Sequence, residues 1–194
     1  MSEPGTFGRG TFAFVRDFKG WAGHVLDLIG MTRFNLKNPR NYTKFRIIKS
    51  LKKKSKSKIF IEAGTYYGVT ADRCSRIFDH VYTIELNPAL AKKAADFLSP
   101  KKNIKVIEGN ALMVLPELLG RSQVDDAFIY LDGHPCSSAT SAGEIPEPAV
   151  EELAALSPYQ KKINAVVIDD FRNFGVEKDF PEKSALLKIR LDFL

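Results

Sequence analysis

Two glycines and an acid are spaced as they are in a nucleoside-binding βαβ unit. The apolar run 58–63 leads into a turn with Gly64 and Gly68, and a second apolar run, 81–85, ends in Glu85. Glycines let the backbone approach a ligand closely, and an acid at the end of the second strand accepts hydrogen bonds from ribose hydroxyls. The spacing therefore predicts a nucleoside site with Glu85 at the sugar.

The glycine spacing also restricts the ligand. Gly64 and Gly68 are spaced G-x-x-x-G, not the G-x-G-x-x-G of a dinucleotide turn, so a ligand without a pyrophosphate fits better. S-adenosylmethionine meets this condition, with its amino-acid end at the glycine turn and its ribose on Glu85. Its adenine would then lie near the third apolar run, 104–108, which Asn110 follows and where Asn110 could hydrogen-bond the adenine edge.

Three aspartates follow two further apolar runs. Asp132 ends the run 126–131, and Asp169 and Asp170 end the run 163–168. Adjacent strands lie roughly 4.8 Å apart, so the carboxylates would meet and repel unless a cation joined them. Oxygen ligands favour Mg²⁺, which could hold a diol and lower the pKa of an attacking hydroxyl. The alternatives are that these aspartates only cap the next helix, form ion pairs or bind Arg172.

A histidine follows the first of these aspartates. His134 lies two residues after Asp132, and a histidine of near-neutral pKa is a suitable general base for a sugar or phenol hydroxyl. His134 and Asp132 are therefore the candidate catalytic residues. The alternative is a loop histidine that serves only as a hydrogen-bonding partner.

Alternating strands and helices must position these residues. The predicted strands are 58–63, 81–85, 104–108, 126–131 and 163–168, and the predicted helices are 69–79, 88–98, 111–119, 147–157 and 182–192. This alternation predicts an α/β fold, a Rossmann-like doubly wound parallel sheet with helices on both faces. The complete fold would need two more strands, so we expect either a truncated chain or another surface over that sheet edge.

Residues 1–57 differ from the domain predicted over 58–194. Apolar residues at helical spacing up to Ile29 predict one or two helices, followed by a loop over 35–42 and a helix over 43–51. These helices could cover the cofactor site, pair with another subunit or lie on a membrane, but packing on the chain's own sheet is favoured. The run 49–58 holds six lysines, and we favour a solvated linker over contact with nucleic acid, lipid or glycan.

Composition sets broad limits. The chain has 194 residues, 44% of them hydrophobic, and a net charge of +6, which suits one soluble domain. It shows neither a long apolar span nor a secretory signal pattern. Its two cysteines make no disulfide framework, so a reducing, cytoplasmic compartment is expected. We expect a small-molecule acceptor as partner, do not expect nucleic acid, and leave a homo-oligomer open.

Four motifs in order carry a family resemblance. They are E-x-G-T-x-x-G-x-T at 62–70, I-E-L at 84–86, E-G-N-A at 108–111 and Y-L-D-G-H at 130–134. The chain over about 58–180 resembles the class I S-adenosylmethionine-dependent methyltransferases. The resemblance implies a seven-stranded αβα sandwich. The cofactor-binding residues it suggests are Glu62, Gly64, Thr65, Gly68, Glu85, Asn110 and Asp132, with Asn110 standing where Asp is common.

Later motifs narrow the resemblance. P-x-x-E-E-L from Pro148 and I-D-D-x-R-x-F-G at 168–175 are similar to bacterial glycan and secondary-metabolite methyltransferases, including macrocin-type sugar O-methyltransferases. This similarity implies methyl transfer to a hydroxyl of a sugar or natural product, with a D…DD metal set. Pro135 and Cys136 depart from the aromatic residue and serine expected after the histidine.

Two other functions stay open. The segment D-G-H-P-C-S-S is similar to the D-x-P-C-S of RNA cytosine-C5 methyltransferases, in which the cysteine attacks the base, although an extra residue separates Asp132 from Pro135. In that case Cys136 would be the nucleophile. The other alternative is a non-catalytic, truncated binding module that acts through the basic, aromatic N-terminal region.

Overall fold

The computed structural model describes residues 9–32, 40–132, 148–176 and 181–187. His134, Pro135 and Cys136 lie outside these described residues. The chain divides into two compact units, Met1–Ser50 and Leu51–Leu194.

The first unit contains helix α1, Arg9–Thr32, and the start of helix α2, Asn41–Ser55. α1 is one uninterrupted helix, and α2 begins inside the stretch that the sequence assigns to a loop. Among the helices in the described ranges, none has the length and apolarity needed to cross a bilayer.

The prediction of a lysine-rich linker is wrong for most of its length. α2 continues to Ser55, with Lys52, Lys53 and Lys54 in its last turn. Lysine is a good helix former, and its charge is favourable near a helix C-terminus, so the run extends the helix instead of ending it. The chain leaves helical geometry at Lys56, whose φ is 58°.

The second unit is built on a parallel sheet of five strands, at the positions that the sequence predicts to within about one residue. They are β1 Ile59–Ala63, β2 His80–Glu85, β3 Ile104–Glu108, β4 Ala127–Leu131 and β5 Ile163–Ile168. The strand order is β3-β2-β1-β4-β5, and every pairing is parallel. The chain reverses its direction of winding between β1 and β4, so the predicted doubly wound α/β fold is confirmed.

Helices lie between the strands and after the last one. They are α3 Val69–Cys74, α4 Pro88–Leu98, α5 Ala111–Gly120, α6 Ala149–Leu156 and α7 Lys183–Leu187, with 3-10 helices at Ser157–Lys162 and Phe171–Asn173. α4 begins where the sequence indicates, because the Asn87 side chain accepts hydrogen bonds from the backbone N–H groups of Ala89 and Leu90.

α3 is shorter than the predicted helix 69–79. It ends at Cys74, and turns follow to Asp79. The Asn103 side chain donates hydrogen bonds to the carbonyls of Ser75, at 2.9 Å, and Phe78, at 3.2 Å. A partner distant in sequence thus satisfies backbone groups that a longer helix would have paired.

The two faces of the sheet differ in chemistry. Ile59, Ile61 and Ala63 of β1 belong to an aliphatic core. On the other face Phe60 lies 5.2 Å from Phe78 and 5.8 Å from Phe128, measured between ring centroids. Because side chains alternate along a strand, Glu62 shares the face of Phe60 and is buried there.

Candidate functional site

The site predicted from the sequence lies where β1, β2 and β4 end. Gly64 follows β1 with φ at 95°, in the left-handed region that glycine adopts without strain. The N–H groups of Gly64 and Thr65 both donate to the Ile84 carbonyl, at 3.0 and 3.1 Å. The glycine turn is therefore fixed to β2 at the switch point of the sheet, which is the usual ligand position in such folds.

Glu85 holds this turn from the other side. Its carboxylate is buried, with Oε2 accepting from the Tyr66 N–H at 2.8 Å and Oε1 accepting from the Asn87 N–H at 2.9 Å. Each carboxylate oxygen can accept two hydrogen bonds, so the group retains capacity for ligand hydroxyls. The sequence suggests only a ligand role for Glu85, and the structure adds a role in shaping the turn.

Glu62 lies underneath the turn. It is 1% exposed, and its Oε2 accepts from the Thr83 hydroxyl at 2.6 Å. The Thr83 oxygen in turn lies 2.6 Å from the Thr65 hydroxyl, and since Thr83 has a single proton to give, Thr65 is the donor of that bond. A chain of hydroxyls therefore links Glu62 to the turn.

This environment changes the ionisation of Glu62. Burial raises its pKa to about 8; the hydrogen bond from Thr83 opposes that rise, and the nearby Glu85 carboxylate adds to it. A pKa in this range leaves the Glu62 carboxyl largely protonated at pH 7. Sequence reasoning missed Thr83, although its signal is visible, since it is a polar residue in the apolar run of β2 and pairs with Glu62 in register.

Gly68 has a structural reason to be glycine. It precedes α3 with φ at 74°, and its N–H donates to the Thr65 carbonyl at 2.8 Å. A Cβ at this position would lie 2.8 Å from Cδ1 of Leu98. The turn and its packing against α4 therefore both require glycine here, independently of the predicted contact with a methionine end.

Asn110 begins α5 and is exposed. Its side-chain oxygen accepts from the Leu112 N–H at 2.9 Å, as a helix cap does. The preceding residue, Gly109, donates its N–H to the Glu85 carbonyl at 2.9 Å. The cap uses one lone pair of this oxygen, so the NH₂ group and the second lone pair are the groups that could make the predicted adenine contact.

Asp132 and Asp169 lie beside each other at the same edge of the sheet. The Asp132 N–H donates to the Ala63 carbonyl and the Asp169 N–H to the Leu131 carbonyl, both at 2.9 Å. Asp169 accepts from the Tyr130 hydroxyl at 2.8 Å and from the Asp170 N–H at 2.9 Å. Burial, together with the charges of Asp132 and Asp169, raises the pKa of Tyr130 well above its ordinary value, so Tyr130 acts as a hydrogen-bond donor.

The predicted metal ligands match Mg²⁺ in donor chemistry, since all are carboxylates on adjoining strand ends. Within the described residues, however, no group of three or more His, Cys, Asp or Glu side chains is arranged to hold a metal ion. The set of Asp132, Asp169 and Asp170 therefore stays a prediction. The capping alternative is wrong for Asp170, whose side chain makes no cap hydrogen bond to the helix that follows it.

The predicted base and nucleophile, His134 and Cys136, fall outside the described residues. The other cysteine, Cys74, is buried in α3 as a free thiol. Burial raises the pKa of the Cys74 thiol well above its ordinary value, with the Glu62 charge adding to the rise. Cys74 is therefore held as an unreactive thiol.

The parallel strand order β3-β2-β1-β4-β5, with helices between the strands, is the Rossmann-like fold seen in class I S-adenosylmethionine-dependent methyltransferases. Comparison with solved structures agrees. The O-methyltransferase TomG from Streptomyces achromogenes, involved in tomaymycin synthesis and solved with SAM, superposes with a TM-score of 0.52 at 21% identity, over 74% of this chain and 63% of its own. The SAH-bound methyltransferase PaMTH1 of Podospora anserina gives a TM-score of 0.53 at 15% identity, over 91% of this chain and 76% of its own.

Sequence comparison finds a relative that is also a methyltransferase. The chain is 28% identical to the catechol O-methyltransferase of Sus scrofa over 96 residues, which cover 46% of this chain and 52% of that protein. The chain thus matches about half the length of this curated relative. No protein-family model matches the chain.

Proposed function

We propose that the protein transfers a methyl group from S-adenosylmethionine to a hydroxyl oxygen of a small molecule, such as a sugar or a natural product. One observation supports this proposal above the others: the Glu85 carboxylate at the end of β2 is bonded to the turn after β1, at the switch point of the sheet. The relatives add support, since TomG and the Sus scrofa protein are both named O-methyltransferases.

The residues of the turn fit the cofactor. Gly64, with φ at 95°, offers backbone without a Cβ beside the ligand position, and the buried Glu85 carboxylate has acceptor capacity left for the two ribose hydroxyls. In this proposal Thr65 and Gly68 shape the loop around the methionine end. Asn110 contributes its NH₂ group to the adenine edge.

The chain's own residues would deprotonate the acceptor and position the reactants. When bound, S-adenosylmethionine would supply an electrophilic methyl group, with the bond from methyl carbon to sulfur breaking and S-adenosylhomocysteine as the leaving group. The acceptor hydroxyl must lose its proton as its oxygen forms the new bond to carbon. His134 is the proposed base, and Asp132, two residues before it in sequence, lies at the end of β4. Most of the acceleration would come from holding the two reactants in line, which makes the rigid strand ends important.

Cation assistance is a separate part of the proposal. Asp132, Asp169 and Asp170 would have to turn their side chains towards one another to form a ligand set. Oxygen donors at this edge would suit Mg²⁺, which would orient an acceptor diol.

A methyl-transfer assay with isotopically labelled cofactor tests the proposal. We expect label in hydroxylated small molecules, such as catechols or sugars, and none in RNA or DNA, with Cys136→Ser as active as the wild type. Transfer to RNA that Cys136→Ser abolishes would contradict the proposal and favour the cytosine-C5 alternative. A chain that binds neither S-adenosylmethionine nor S-adenosylhomocysteine would contradict it in favour of the binding module.

A further inference from the structure

Helix α1 of the first unit presents six large apolar side chains to solvent among those that the structure describes. At 3.6 residues per turn, six exposed positions fall within an arc of about 160°. They form what we name the apolar face of α1: Val15, Phe18, Trp21, Leu26, Leu28 and Ile29. Phe18 is 62% exposed and Trp21 is 53% exposed, which is high for aromatic side chains in a helix that could have turned inward.

The opposite side of α1 is polar and joins the start of α2. Asp27 accepts hydrogen bonds from the Thr43 hydroxyl at 2.6 Å and from the Arg40 N–H at 2.9 Å, and the Arg40 guanidinium pairs with it as well. His24 Nδ1 lies 2.9 Å from the Thr43 hydroxyl, and the Arg40 guanidinium also donates to the Gly23 carbonyl at 3.2 Å. These bonds fix the rotation of α1, so its apolar face is held outward.

Burial raises the pKa of Asp27, but the hydrogen bonds from Thr43 and Arg40 outweigh burial and leave that pKa below its ordinary value. Asp27 therefore stays charged at neutral pH, and the polar junction between the two helices is maintained. A helix whose polar face is held by hydrogen bonds and whose apolar face is exposed is oriented to bind another surface.

The charge of the chain is concentrated in the same unit. Residues 1–50 contain nine Lys and Arg against three Asp and Glu, a net charge of +6 that equals the formal net charge of the whole chain. Residues 51–58, which follow this unit and include the end of α2, carry five more lysines and no acid. The unit that exposes the apolar face is therefore also the strongly cationic part of the protein.

We propose that the first unit docks on an anionic lipid bilayer, with the apolar face of α1 lying in the headgroup region. Helices that lie in this region combine aromatic and aliphatic residues on one side with basic surroundings, and tryptophan favours this depth. Juxtamembrane lysines and arginines add attraction to the negative leaflet. A second copy of the chain is the less favourable occupant, because two units of net charge +6 would repel each other.

The test uses the full-length chain and two kinds of vesicle. One contains phosphatidylcholine alone, and the other contains about 30% phosphatidylserine, which gives a negative surface potential. Trp21 is the only tryptophan in the chain, so its emission reports directly on the apolar face. We expect flotation with the anionic vesicles, a blue shift of the Trp21 emission on binding, and much weaker association with the neutral vesicles.

Matched variants separate the two contributions. Phe18→Ser combined with Leu26→Ser should weaken vesicle binding by roughly tenfold or more. Met113→Ser combined with Val176→Ser removes two apolar side chains of the second unit that are even more exposed, and it should leave binding unchanged. Arg46→Gln and Lys49→Gln, both on α2, should each weaken binding to anionic vesicles by about fivefold, whereas Lys92→Gln and Lys93→Gln on α4 should not.

Each contrary result would overturn the proposal. Absence of flotation with anionic vesicles would do so, as would flotation that Phe18→Ser with Leu26→Ser leaves unchanged. Self-association in solution that this double variant abolishes, without any vesicle binding, would assign the face to a second copy of the chain. The Arg46 and Lys49 variants keep the test decisive should the apolar double variant fold poorly, because single exposed charge changes rarely disturb folding.

Discussion

The Tyr66 N–H donates a hydrogen bond to Oε2 of Glu85 at 2.8 Å, so the acid expected to hold a ribose also holds the turn expected to receive a methionine. The second carboxylate oxygen accepts from Asn87 at the start of the next helix. One buried side chain therefore organises the two halves of the proposed cofactor site, and changing it should affect shape and binding together.

Replacing Glu85 with alanine should weaken binding of S-adenosylmethionine by roughly 1.5–3 kcal/mol, the range for hydrogen bonds to a charged group. It should also destabilise the fold, because two backbone N–H groups lose their acceptor. Glu85→Gln keeps one acceptor oxygen, so it should lose less cofactor affinity and less stability than Glu85→Ala. Glu108 aligns with Glu85 in register on β3 and is exposed, so Glu108→Gln is the matched control. Calorimetric titration showing equal affinity for Glu85→Ala and Glu108→Gln would refute the ribose assignment.

The ionisation of Glu62 predicts how stability depends on pH. Its pKa rises from 4.5 to about 8 on folding, so the folded protein holds a proton that the unfolded chain has lost. The free energy of unfolding should therefore fall as pH rises from about 5 to 8, by an amount on the order of a few kcal/mol from this group. Glu62→Gln cannot ionise and should flatten that dependence. Denaturant unfolding of the wild type and of Glu62→Gln at pH 6 and pH 9 would measure the change in the free energy of unfolding with pH. An equal change in both proteins would contradict the prediction.

The same group couples cofactor binding to protons. A cationic sulfonium bound near Glu62 and Glu85 should favour the charged form of Glu62, so binding near pH 7.5 should release a fraction of a proton. Titrations in phosphate and in Tris buffer should give different apparent enthalpies for the wild type, because the two buffers differ in their heat of protonation. Glu62→Gln should remove the difference. Equal enthalpies for the wild type in both buffers would rule out the coupling.

Gly68→Ala should destabilise the protein by about 1–3 kcal/mol, because φ at 74° strains an L-residue and the new methyl group would press on Leu98. Gly120 offers a control, since a Cβ there would meet no atom within 4 Å. Gly120→Ala should therefore be nearly neutral. Thermal unfolding of both variants would measure their stabilities. Equal unfolding midpoints for Gly68→Ala and Gly120→Ala would show that Gly68 has no special packing role.

Metal assistance predicts that EDTA lowers the rate of methyl transfer by roughly tenfold or more and that added Mg²⁺ restores it. Asp169→Asn should reduce the response to Mg²⁺, while affinity for S-adenosylhomocysteine stays near that of the wild type. Glu117, an exposed acid of α5 that pairs with Arg121, provides the control as Glu117→Gln. Turnover that is indifferent to EDTA would leave the aspartates at the ends of β4 and β5 without a metal role.

The strands could be predicted from sequence because each is a short apolar run that ends in a glycine or an acid. The alternation of strands and helices predicts parallel pairing, and because parallel strands share one carboxyl edge it also places Glu85 and Asp132 at that edge. The strand order itself came from the structure. The end of α3 could not be predicted from local sequence. It depends on a hydrogen bond from the Asn103 side chain to the Ser75 carbonyl, and the two residues are 28 positions apart. The lysine run could not be read as helix from charge alone.

The ionisation of Glu62 could not be predicted from sequence, although Thr83 is visible there as a polar residue in the apolar run of β2. The pKa of Glu62 depends on complete burial and on Thr83, which faces it only once β1 and β2 are paired in register. The requirement for glycine at position 68 likewise depends on Leu98, a residue of α4 that no local pattern connects to the turn. Long-range packing decides both features.

A crystal structure of the chain with S-adenosylhomocysteine tests the central claim most directly. We predict the ribose hydroxyls within about 2.5–3.0 Å of the Glu85 carboxylate, the amino-acid end over Gly64, and the adenine edge beside Asn110. The nucleoside bound elsewhere, or the space between Gly64 and Glu85 filled by the protein's own side chains, would contradict the account.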